Sequence, residues 1–148
     1  MTIANVFTIG FTQTSAERFF DRLLKSGVKK VVDVRLHNTS QLAGFAKADD
    51  LAYFLNKIGG IQYEHQPLLA PTDSILKAYK NEKGDWGVYE SHFLELMAER
   101  KIETWLTPET FDNACLLCSE ATAHHCHRRL VCEYLNRTWG NSLVVRHL

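Results

Sequence analysis

Residues 118–128 read C-S-E-A-T-A-H-H-C-H-R, so two thiols, a carboxylate, three imidazoles and a guanidinium share one short stretch. A thiol with a base in reach is the combination used for nucleophilic catalysis, and a nearby arginine suits an anionic substrate. Cys118, Glu120, Cys126 and His127 are therefore the candidate catalytic residues, with Cys118 or Cys126 as nucleophile and Glu120 and His127 handling protons. Arg35 and Arg128 are the candidates for holding an anion, joined at the same edge by Asp33, His65 and Thr12 as substrate-binding residues. The same thiols and imidazole are metal-ligand types, so Cys118, Cys126 and His127 form an alternative metal site. Spacing argues against a structural zinc knuckle. Cys115 and Cys118 fall three apart on a strand and point to opposite faces, and C-x7-C-H matches no common zinc pattern.

These groups need a scaffold that brings them together. Short β-branched or apolar runs at residues 6–9, 31–34, 61–65, 114–117 and 143–145 predict five strands. Between them lie helical stripes. Phe19, Phe20, Leu23 and Leu24 follow Ser15 and end at Gly27, and Leu51, Phe54, Leu55 and Ile58 end at Gly59-Gly60. Ile75, Leu76 and Tyr79 suggest a short helix interrupted by Gly84. Tyr89, Phe93, Leu96 and Met97 suggest a longer one, and Thr107-Pro108 marks another start. A last helix, opening near His124 or His125, carries Leu130, Val131, Tyr134 and Leu135 and stops at Gly140.

Strands alternating with helices predict an α/β fold: one domain over residues 1–148, with a mostly parallel sheet of about five strands and helices on both faces. Ligands of such sheets bind beyond the carboxyl ends of the strands. Thr12 follows the first strand, Asp33 and Arg35 the second, His65 the third, and Cys118 with Glu120 the fourth. His127, three and four residues before Leu130 and Val131, shares the helix face that packs on the sheet. Plainer roles compete: Asp33 and Arg35 also suit a strand-end ion pair, His65 a satisfied core histidine, His124 and His125 a solvated turn. Cys115 and Cys132 read as packing, and Phe45, Trp86 and Trp105 as core or lid residues rather than base-stacking platforms.

Seventeen basic and seventeen acidic residues balance, so a nucleic-acid partner would not be held by a large basic face. No apolar run approaches the ~18 residues of a membrane span, and no N-terminal secretory pattern is present, so the expectation is a cytoplasmic protein with reduced thiols.

Several motifs carry a family resemblance: T-I-G-F at residues 8–11, V-D-V-R at 32–35, G-F-x-K at 44–47, Y-x-H at 63–65, L-L-C-S-E at 116–120 and H-C-H-R-R at 125–129. Together they resemble the domain-of-unknown-function family numbered 488. The resemblance implies one α/β domain whose motifs line a cleft, and it brings no reaction with it. After the third strand the run P-L-L-A-P-T at residues 67–72 departs from the family's P-x-L-G-G-like turn. V-V-D-V-R also looks like a rhodanese strand, but a phosphate-cradle loop needs an arginine six residues after the cysteine, where His124 stands.

The leading expectation is an enzyme acting on a small anionic or nucleotide-like substrate without an organic cofactor. A non-catalytic module binding a nucleotide, a nucleic-acid end or a peptide is the alternative from another class, and a Cys/His metal protein is the third.

Overall fold

The computed structural model describes residues 3–39, 44–80, 84–120 and 122–148; Ala121, inside the cysteine–histidine segment, lies outside them. One sheet holds β1 (Ala4–Gly10), β2 (Lys30–Asp33), β3 (Gln62–His65), β4 (Ala114–Cys118) and β5 (Leu143–His147). All pairings are parallel, in the order β3-β2-β4-β1-β5. The α/β class read from the sequence is the observed one.

The local signals act as their chemistry predicts. Ser15 caps α1 (Ala16–Ser26) by accepting from the Arg18 N–H at 3.2 Å, and Gly27 ends it with φ 74°. Helix α2 (Ala48–Gly59) stops at Gly60 in the same left-handed region, φ 61°. Helices α3 (Asp73–Lys80) and α4 (Trp86–Arg100) flank the Gly84 interruption, and Asp85 caps α4. A short α5 (Ile102–Trp105), which no pattern announced, precedes α6 (Pro108–Phe111), where Thr107 and Thr110 form a capping box. Helix α7 (His127–Thr138) begins two to three residues later than the sequence suggests. Residues 122–125 form a turn that stacks the His124 and His125 rings at 4.4 Å, and His125 stacks in turn on Trp86 at 4.8 Å. Those contacts hold the segment out of the helix and leave Cys126 as the extended residue before it.

Strand β4 is buried at every position and divides its side chains between two cores. Cys115 and Leu117 pack with Phe19, Leu23, Leu51 and Leu55, the α1/α2 side. Leu116 and Cys118 pack with Phe93, Met97, Leu130 and Leu135, the α4/α7 side. The two ends of C-L-L-C thus face opposite layers, as a period of two requires.

The connections explain where a ligand can sit. Segments leaving β1 and β2 cross on the α1/α2 face, while those leaving β3 and β4 cross on the α4/α7 face. Strand β4 lies between β2 and β1, so its outgoing loop diverges from both neighbours' loops. Divergence of this kind opens a crevice beyond the strand ends. Among the described residues, no helix is long and apolar enough to cross a membrane.

Phe93 is fully buried in α4, with its ring 6.2 Å from Tyr89 and 5.4 Å from His127. Phe93→Ala should therefore cost about 3–5 kcal/mol. A lowered urea midpoint at unchanged slope would show it; an unchanged midpoint would contradict the packing described.

Candidate functional site

The loop after β4 is held from below. Phe11 and Thr12 donate their N–H groups to the Ser119 carbonyl at 3.3 and 3.0 Å, and the Thr12 hydroxyl donates to it at 2.5 Å. Arg128, fully buried in the first turn of α7, donates from Nη1 to the Glu120 carbonyl at 2.6 Å and from Nε to Thr8 Oγ1 at 3.2 Å. Gly10 makes the approach possible. A Cβ there would lie 1.6 Å from the Glu120 carbonyl oxygen and 2.9 Å from Arg128 Nη1. Gly10 also pairs in register with Cys118, so its bare backbone sets the depth of the strand tip.

On that loop sits a cluster of three buried groups. Ligand atoms of Cys118, Cys126 and His127 all lie within 4.8 Å of one another. The His127 Nε2 is 2.6 Å from the Val34 carbonyl, which can only accept, so Nε2 carries a proton and donates. Its Nδ1 faces the Cys118 sulfur at 3.6 Å. A neutral His127 therefore accepts the Cys118 proton at Nδ1, and a charged one donates to the thiolate. Arg128 Nη1 donates to the Cys126 sulfur at 3.7 Å.

The two thiols are driven apart in acidity. A hydrogen bond from Cys126 draws the Cys118 thiol down; burial opposes this, while the Ser119 and Glu120 N–H groups and the Arg128 charge assist. The balance leaves Cys118 below its ordinary value. Donating that bond, together with burial, pushes Cys126 well up. Cys115 and Cys132 are raised by burial, Cys132 to about 12, and both serve as packing.

Asp33 and Arg35 form a buried ion pair. Arg35 donates from Nε and Nη2 to the two Asp33 oxygens at 2.8 and 2.7 Å, with both residues essentially buried. Burial pushes the Asp33 carboxyl up, but the hydrogen bonds and charge of Arg35, aided by the Tyr63 hydroxyl at 2.5 Å, leave it below its usual range. Among the described residues, Nη1 of Arg35 has no hydrogen-bond partner, and neither has Nη2 of Arg128. Buried polar groups are rarely left unpaired, so both guanidinium groups stand out.

A cavity of about 230 Å³ opens over this cluster, lined among others by Arg35, Cys118, Glu120, Cys126 and His127. Five of the nine residues singled out in the sequence therefore share one wall. Asp33 and Arg128 lie behind it, each tied to a lining residue. Thr12 and His65 do not reach it. Thr12 braces the Ser119 carbonyl, and His65 donates from Nε2 to the Arg35 carbonyl at 2.9 Å. The Glu120 carboxylate turns to the rim, where Lys80 Nζ pairs with it at 2.7 Å. Its nearer contribution is its backbone, whose carbonyl binds Arg128 and whose N–H faces Cys118.

A family model described as Domain of unknown function DUF488 matches residues 15–135. The chain belongs to the DUF488 family. No curated protein and no solved structure matches it. The matched span contains V-D-V-R, Y-x-H, C-x-E and H-C-H-R-R, whereas T-I-G-F at residues 8–11 precedes it.

The opposite wall of the DUF488 cavity comes from residues not singled out as site residues: Pro71 and Leu76 near the start of α3, Tyr79 and Lys80 at its end, and Trp86 and Tyr89 in α4. Helical spacing showed their elements but not which way those elements fold back. Trp86 is stacked on Tyr89 at 4.9 Å and on His125 at 4.8 Å, so its ring is wall rather than platform.

Gly10→Ala should drive the Glu120 carbonyl and Arg128 out of place, at a cost of about 1–3 kcal/mol. Thermal unfolding alongside alkylation of Cys118 would read it: both the melting temperature and the thiol's reactivity should fall together, and a variant altered in neither would rule out the close approach.

Proposed function

We propose that this protein is a thiolate-dependent enzyme acting on a small anionic substrate, with Cys118 as nucleophile. The observation that carries the reading is the Cys118 sulfur at the wall of the cavity, within 4.8 Å of a second thiol and an imidazole whose tautomer is fixed. His127 holds the proton removed from Cys118 at Nδ1 and returns it to the leaving group. The Ser119 and Glu120 N–H groups hold charge at the sulfur, as backbone donors do in oxyanion sites. Arg35, fixed by Asp33, offers Nη1 to the substrate's anionic group. A cavity below the ~300–1,000 Å³ typical of drug-sized ligands suits a small molecule. With Trp86 stacked on two neighbours, anion recognition is better supported than recognition of a nucleobase.

Iodoacetamide alkylation followed by peptide mapping tests the nucleophile. Cys118 should keep its rate well below the ~8.5 of a free thiol. Its acidity is increased by folding, so the associated stability is present above the unfolded pKa and is lost as pH falls through the folded one. Cys126 runs the other way, its contribution lost as pH rises through its raised folded value. An alkylation midpoint for Cys118 at about 8.5 would sink the proposal.

One observation favours a second reading. Cys118, Cys126 and His127 offer two sulfurs and a nitrogen in one cluster, and His127 donates its other ring N–H to a backbone carbonyl, the usual orientation of a metal-bound histidine. Three protein ligands beside a cavity would leave a fourth position for substrate. Cobalt(II) titration is the check. Thiolate-to-cobalt absorption in the native protein, lost in Cys118→Ala and in Cys126→Ala, would support a metal centre; no such band in the native protein would dispose of it.

A further inference from the structure

We infer that Cys126 is a resolving thiol: a small anionic disulfide captured on Cys118 is released when Cys126 closes a Cys118–Cys126 disulfide. The inference rests on the nucleophile reading and names its substrate class. A thiolate that attacks carbon or phosphorus needs no second thiol, whereas here one lies within 4.8 Å of the first, on the same cavity wall. The remaining cysteines are elsewhere. Cys115 belongs to the core on the other face of the sheet, and Cys132 to the interior packing of α7.

Mobility favours Cys126 as the partner that moves. A disulfide needs sulfurs about 2.05 Å apart, so one side chain must swing inward. Cys126 precedes α7 in extended geometry, φ −142° and ψ 139°, and its side chain caps no helix N–H. Rotating it breaks no helical hydrogen bond, and the polar contact it gives up is the long one from Arg128. Cys118 is fixed at the end of β4 by the Ser119 and Glu120 contacts already described. Arg35, which lines the same cavity and whose Nη1 has no hydrogen-bond partner among the described residues, suits a carboxylate on the disulfide.

The chemistry balances. The Cys118 thiolate attacks one sulfur of R–S–S–R′; that S–S bond breaks, and R′–S⁻ leaves with the proton held on His127. The Cys126 sulfur then attacks Cys118, forming the protein disulfide and expelling R–S⁻, which takes the Cys126 proton. Two electrons pass from the cysteine pair to the substrate, yielding two small thiols. A dithiol reductant returns the pair to its starting state.

Dithiodipyridine added to chelator-treated full-length protein tests the scheme, because each S–S cleavage releases one coloured thiopyridone. Wild type should release two equivalents per protein in the fast phase and lose two hydrogens by mass, with Cys118 and Cys126 joined in the peptide map. Cys126→Ser should release one equivalent, half the wild-type yield, and keep the probe on Cys118. One equivalent from wild type, with a persistent mixed disulfide, would overturn the resolving role while sparing the nucleophile. No release faster than that of a free small thiol would overturn the nucleophile reading and this inference with it. A disulfide mapped to any other pair refutes the scheme. Circular dichroism reports whether Cys126→Ser is folded, and if it is not, the wild-type stoichiometry and peptide map decide alone.

Discussion

A fully buried guanidinium ties three parts of this sheet edge together. Arg128 reaches from α7 to the Thr8 hydroxyl on β1, the Glu120 carbonyl after β4 and the Cys126 sulfur before its own helix. Burying a cation costs several kcal/mol of desolvation, which well-placed hydrogen bonds such as those from Nη1 and Nε must offset. That requirement propagates outward. Gly10 must have no side chain, the Ser119 carbonyl must face Thr12, and the loop must close tightly over β1. The thiol cluster inherits its geometry from a charge that has nowhere else to go.

A second buried arginine repeats the logic on the neighbouring strand. Arg35 is held edge-on by Asp33, which is held in turn by Tyr63, and Asn38 donates to the Tyr63 oxygen at 3.2 Å. The network fixes the guanidinium plane and leaves one N–H unsatisfied beside the cavity. Arg35 in the cavity wall and Arg128 behind it both favour negative charge there, whether it belongs to the Cys118 sulfur or to a bound anion. The Cys118 and Cys126 protons are shared in the same field, so the pair titrates as a unit in which one sulfur gains acidity at the other's expense.

Much of this edge was legible in the residues. Burial on both faces gives β4 its unbroken apolar run, and Cys118 had to fall at its tip. His127 could be aimed at the sheet because Leu130 and Val131 share its helix face. What periodicity cannot convey is direction in space. Nothing in the spacing of Ile75, Tyr79 and Tyr89 says that α3 and α4 fold back over the strand ends, so Lys80 could not be placed at the cavity, and Trp86 could be read only as a core or lid residue. Glu120 was singled out for its carboxylate, yet its backbone does the nearer job, because a side chain at a tight loop points where the turn sends it. The start of α7 slipped for a similar reason. Stacking of His124, His125 and Trp86 is a long-range contact that overrides local helical preference.

The charges beside the cluster bear on whether it works as a thiol pair or as a metal centre. A divalent ion bound by both sulfurs requires both to lose their protons, including the one that Cys126 directs at Cys118. It would also stand beside Arg128, whose Nη1 already contacts the Cys126 sulfur at 3.7 Å, and near Arg35 on the same wall. Like charges a few ångströms apart in a poorly solvated site repel by several kcal/mol at an effective dielectric of about 20. A single thiolate meets no such penalty: it is the sign of charge that the Arg128 guanidinium already favours at Cys118. Electrostatics therefore weighs toward the thiol pair, even though the three ligand atoms are close enough for a metal.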